Sequence, residues 1–154
     1  MPIEIAFSAL ARTQLRSVLA VVLCVVAFPA AACSVASTSL AFGSIDPLQP
    51  VPTDSTATVS VHCPEPTEYS IAITTGSGSY GGRFMSSGSD QLEYQLFVDA
   101  SRLSVWGDGT GGSVTVEGSA DANGSNHTVY GRVPHQQFAR PGVYSDVLLV
   151  TVTF

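Results

Sequence analysis

From residue 53 to residue 63 apolar and polar side chains alternate: Ala57, Val59, Val61 and Cys63 against Thr56, Thr58, Ser60 and His62. A period of two over this length predicts a β-strand with one buried face and one wet face, and it places Cys63 inward. The same alternation predicts a strand at Leu92, Tyr94, Leu96 and Val98, and another at Tyr69, Ile71 and Ile73. A further one has Val129 and Val133 on one side and Tyr130 and Arg132 on the other. Residues 33–43 carry Val35, Leu40 and Phe42 out of phase, which predicts a strand with a bulge or kink near Ser37. Weaker signals give a short strand or edge fragment at residues 83–86 and a brief strand at Val114 and Val116. A polar turn region is expected from Gly118 to Asn126.

Residues 147–154 are the most strand-like in the chain, all β-branched, aromatic or leucine, with no glycine, proline or charge. They predict a strand buried on one or both faces, either the spine of a sheet or a surface for a partner. The stretches between strands are punctuated by breakers. Prolines at 47, 50 and 52 make a rigid loop, Pro64-Glu65-Pro66 a turn, and the glycines from Gly76 to Gly82 a flexible loop. Four glycines follow the single tryptophan, Trp106, and imply unusual backbone angles there. No segment beyond the N-terminal region keeps a helical period. Seven or eight short strands at this spacing predict an all-β sandwich.

The N-terminal region has a different composition. Arg12 and Arg16 precede an uncharged apolar run, residues 17–28, followed by Pro29 and three alanines. This is the layout of a secretory signal peptide, residues 1–32, and the run is short for a membrane span. Cleavage after Ala32 would make residues 33–154 the exported domain, with no membrane span. A lipoprotein-type alternative, with Cys33 acylated, stays open beside it. From Cys33 onward eleven acids oppose four arginines, with no lysine. That balance argues against nucleic acid or an anionic membrane surface as partner. Cys33 and Cys63 remain after cleavage, and an even number in an exported chain predicts a disulfide between them, at one end of neighbouring strands. Acylation of Cys33 would exclude that pairing.

Candidate chemistry is sparse. His62, His127 and His135 lack ligand-spaced partners and are expected at the surface; no metal site or cofactor is predicted. No serine sits in a nucleophile-elbow pattern, and enzymatic activity is not expected. Asp108 and Asp121 lie in glycine-bearing loops without the carboxylate density of calcium loops. Tyr80, Phe84 and Trp106 are the candidate loop contacts with a surface or glycan, although burial is the default for a lone tryptophan.

The ordered set Cys33-Ser-Val, Leu40-Ala-Phe-Gly43, Val59-Ser-Val-His-Cys63, Tyr69-Ser-Ile-Ala-Ile73, Leu92-Glu-Tyr-Gln-Leu96, Trp106-Gly-Asp-Gly109, Val129-Tyr-Gly-Arg-Val133, Gly142-Val-Tyr-Ser-Asp146 and Val150-Thr-Val-Thr-Phe154 resembles the spore coat protein U domain family. That family includes secreted pilus subunits of the archaic chaperone–usher pathway. The resemblance implies an incomplete immunoglobulin-like β-sandwich lacking its final strand. A periplasmic chaperone, and then a neighbouring pilus subunit at an outer-membrane usher, would lend the missing strand. It implies export through the periplasm to a fimbrium, in surface attachment and biofilm formation. Leu148, Val150, Val152 and Phe154 are then expected to face the core beside an acceptor groove. With nothing ahead of Cys33 after cleavage, the subunit would accept a strand without donating one, as at a pilus tip or other terminal position. An adhesin-type module and a spore-coat or envelope protein are the competing expectations.

Overall fold

The computed structural model describes residues 32–46, 48, 50–135 and 139–154. The expected signal peptide up to residue 31, Pro47 and Gln49 of the proline loop, and Phe138 lie outside these residues. Among the described residues nine strands form two sheets: β1 (Ser34–Ser37), β2 (Thr53–His62), β3 (Thr67–Ile73), β4 (Gly78–Ser79), β5 (Gly82–Ser87), β6 (Asp90–Phe97), β7 (Val116–Ala120), β8 (Ser125–Val133) and β9 (Val150–Thr153). The first sheet runs β1-β2-β8-β6-β5-β4 and the second β7-β3-β9. Every named pair is antiparallel.

The alternation in β2, β6 and β8 fixes which face is inside. Val59 and Val61, Leu92, Tyr94 and Leu96, and Val129 and Val133 are all buried on one side of the first sheet. Tyr69, Ile71 and Ile73 meet them from β3. Each such side chain withdrawn from water contributes roughly 1.5–3 kcal/mol. Trp106 is fully buried among them; its indole N–H donates to the Ile71 carbonyl at 3.2 Å. Gly131, on the inner face of β8, leaves the room that Leu40 and Phe42 fill: a Cβ there would lie 2.8 Å from Leu40 Cδ1 and 3.0 Å from Phe42 Cζ.

Several expectations are corrected. The predicted brief strand at 114–116 and polar region at 118–126 are instead β7, paired with β3 from Ile71↔Val116 to Thr67↔Ala120, then a turn and the start of β8. Its sequence, Val-Glu-Gly-Ser-Ala, carries little apolar signal because it is an edge strand; Gly118 is there so that the Tyr69 phenol can lie across it. The predicted strand 147–154 is regular only at Val150–Thr153. β1 ends at Ser37, where the kink was expected, and the chain goes on beside β2 through Thr38 N–H to Thr58 O at 2.9 Å. Cys33 and Cys63 are joined, tying β1 to the end of β2.

Candidate functional site

A cleft of 430 Å³ opens between the two sheets. One wall is the chain from Ser37 to Phe42, following β1 along the edge of β2. The other is the chain from Tyr144 to Val150. Between them the cleft reaches the core itself, touching Ala57 and Val59 of β2, Leu96 of β6 and Ile73 of β3. A second hollow of 690 Å³ continues toward residues 139–143 and shares Leu40, Phe42, Met85 and Tyr144 with the first. The two strands nearest the cleft are both terminal in their sheets, β1 in the first and β9 in the second. Among the described residues nothing pairs with the outer edge of either, so each offers a row of backbone donors and acceptors beside an apolar slot.

The geometry of the cleft's second wall comes from how the last segment crosses between sheets. Ser145 pairs with Ser86 of β5 in both directions, at 2.9 and 3.1 Å. From Leu149 onward the chain pairs with the second sheet: Thr74 N–H donates to Leu149 O at 3.0 Å, and β9 then runs beside β3 with Val150 opposite Ile73 and Val152 opposite Ile71. Asp146 stands at the crossing. Its carboxylate accepts from the Tyr94 hydroxyl at 2.6 Å, the Ser77 N–H at 3.1 Å and its neighbour's Val147 N–H at 2.9 Å. Burial first, then this hydrogen bond, push the Tyr94 phenol well above its ordinary pKa.

Next to this corner lies a fully buried arginine, Arg83. Its guanidinium donates to Thr74 O at 3.0 Å, to Trp106 O at 2.7 Å and to the Gln95 side-chain oxygen. Desolvation lowers its pKa while Tyr94, Tyr80 and Asp146 oppose that shift.

The expected site residues fall into place unevenly. Leu148 and Val150 line the cleft and Val152 packs against the core beside them, all half-buried. Phe154 does not face the core: it is 56% exposed, its ring meeting the edge of Tyr69 at 6.3 Å, because β9 ends one residue earlier. Trp106 is an internal plug and cannot be a loop contact. Tyr80 is half-buried under the Arg83 guanidinium, its hydroxyl donating to Ile73 O at 3.2 Å, and Phe84 is half-buried on β5, so neither projects from a loop tip. His127 is not a surface histidine: it is half-buried on the inward side of β8, its Nε2 2.6 Å from the Tyr69 hydroxyl. Asp146, Arg83 and Tyr94 are not among the site residues expected from the sequence. The signals were an acid directly before an apolar run, and an arginine in phase with Met85.

An all-β sandwich left open between two free edges is the class this architecture defines. The chain belongs to the Spore Coat Protein U domain family, which it matches over residues 19–151. It is 33% identical over 144 residues to protein U of Myxococcus xanthus, covering 80% of this chain and 78% of that protein. Its fold is similar to that in the crystal structure of a pre-assembly complex of the chaperone CsuC with the tip adhesion subunit CsuE, from archaic chaperone–usher Csu pili of Acinetobacter baumannii. The TM-score is 0.58 at 21% identity, over 80% of this chain and 39% of that chain. The present chain thus spans about two-fifths of that neighbour's length.

Proposed function

We propose that this protein is an exported subunit of a chaperone–usher fimbrium, assembled when a partner's strand enters the cleft between β1 and β9. The observation that carries this is the apolar cleft flanked by two unpaired strand edges: such a slot accepts an extended chain through backbone hydrogen bonds, while alternate side chains enter the core. A periplasmic chaperone would fill it first, and a neighbouring subunit delivered at the usher would replace it. Family membership and the fold likeness support this role, and with it a surface location and a part in attachment. A structural rather than enzymatic protein fits the same picture. An adhesin acting through Tyr80, Phe84 and Trp106 is not favoured, since those side chains point inward or pack on the sheet.

Hydrogen exchange on the chain bound to its chaperone tests the proposal. The amides of residues 34–37 and 150–153 should be protected in the complex to about the level of β2. Edge amides that exchange freely in the complex would mean that binding occurs elsewhere. A terminal position in the fibre is the finer part of the proposal. If processing falls after Ala32, no segment remains ahead of Cys33 to donate. Sequencing the exported N-terminus decides this, since an end about ten residues before Cys33 leaves room for a donor strand and contradicts it.

A further inference from the structure

Residues 147–150 are Val-Leu-Leu-Val, apolar at every position. Alternation therefore does not say which of them face the cleft. A slip of one residue would exchange the half-buried pair Leu148 and Val150 for Val147 and Leu149, now 87% and 64% exposed. Farther on, Thr151 and Val152 differ by little more than a hydroxyl, so β9 resists such a slip only weakly. Backbone pairing does not hold the crossing either. Ser145 is bonded to β5 and Leu149 to Thr74, and among the described contacts no backbone hydrogen bond to either sheet involves residues 146–148.

Leu149 is tied to Thr74 twice, through its carbonyl and through its N–H to Thr74 Oγ1 at 3.0 Å; upstream of it, what holds the crossing is a side chain. Asp146 sits in a notch made by Gly76, where an added Cβ would lie 2.1 Å from Oδ2. Gly76 also has φ +58, a left-handed angle that glycine adopts without strain. Inside the notch the carboxylate is fixed from two directions, by the Ser77 N–H of the β3–β4 loop and by the Tyr94 hydroxyl of β6. One carboxylate thus references the last segment to β6 and to the loop that joins β3 to β4.

We propose that Asp146 is a positioning residue that sets the register of β9, and so decides which apolar side chains line the cleft. Its consequence for strand capture rests on the function proposed above; the register itself does not.

An intramolecular crosslink separates the two. Ala72 and Thr151 are opposed, and Thr151 is exposed on the outer face. In the full chain, exported together with its chaperone, Ala72→Cys with Thr151→Cys should form a disulfide. Ala72→Cys with Val150→Cys or Val152→Cys should not, because those side chains point to the opposite face. In an Asp146→Ala background the ratio of the 151 crosslink to the 150 and 152 crosslinks should fall by about tenfold, the scale of one lost hydrogen bond to a charged group. A merely structural role would lower the amount of folded protein without moving this ratio. Tyr94→Phe, which removes one contact and leaves the carboxylate, serves where Asp146→Ala accumulates poorly, and should move the ratio in the same direction by less. A ratio unchanged in both variants overturns the assignment. If the chain proves not to need a chaperone, the crosslinks are read on the free protein, so failure of the functional proposal leaves this test intact.

Discussion

Single residues carry more of the interior than their types suggest. His127 accepts or donates at Tyr69 with Trp106 and Ser125 near its ring, and burial lowers its pKa. A folded-state pKa below the unfolded value of about 6.5 means that the neutral ring is favoured on folding. This contribution is complete above about pH 6.5 and is lost as the pH falls below it. Denaturation of the chaperone-bound chain between about pH 7.5 and pH 5 should show stability declining, and His127→Gln, uncharged throughout, should flatten the decline. Equal slopes in the two proteins would remove His127 from the account. Arg83→Met would remove the donor to the Thr74 and Trp106 carbonyls, at a cost of about 3 kcal/mol or more; a large fall in recovered folded protein is the expected result. Little of this was legible in the sequence. A lone arginine between Gly82 and Phe84 looks like a surface residue, and its acceptors come from three separate strands or loops. Cys63, by contrast, declared its direction through the alternation of β2, and it meets Cys33 as expected.

At the scale of strands, legibility followed burial on one face. β2, β3, β6 and β8 each have an inner face of apolar residues and an outer face of polar ones, and each was evident from its period. β7 is legible only at Val116, because an edge strand beside a bulky tyrosine needs glycine and tolerates serine and glutamate. The last strand was overextended because its upstream half is apolar on both faces, while only Val150–Thr153 pairs with β3. Val150→Asp would place a charge on the inner face opposite Ile73 and should cost ~3 kcal/mol or more; Thr151→Asp, on the exposed face, should stay within about 0.5 kcal/mol. Chaperone-bound yield compares them directly, and equal losses would mean that the faces are reversed. Replacing both Cys33 and Cys63 by serine frees the loop that they close across 30 positions and should cost roughly 3–4 kcal/mol on a chain-entropy estimate, seen as a lower midpoint in urea. An unchanged midpoint would show that the tether does not constrain the unfolded chain.

At the scale of the molecule, the two sheets come close without completing a core. Val59, Leu96 and Ile73 are buried, yet they adjoin a cleft that stays open along the whole run from Phe42 to Val150. No periodicity could have displayed that cleft, because it is defined by a strand the sandwich does not contain. Only the order of features across the chain, matched to a family, pointed to it. An apolar slot between two unpaired edges is a hazard for a free monomer, prone to pairing with any extended chain. For a subunit handed from one partner to the next, as proposed above, it would be the working surface. On the function proposed above, this chain needs a second chain to complete its fold. The most direct test of this is export of the chain alone and together with a candidate chaperone, followed by limited proteolysis and a mass measurement. The chain alone should be degraded, and together with the chaperone it should be recovered as a protease-resistant one-to-one complex. A stable, protease-resistant monomer formed without a partner would contradict it.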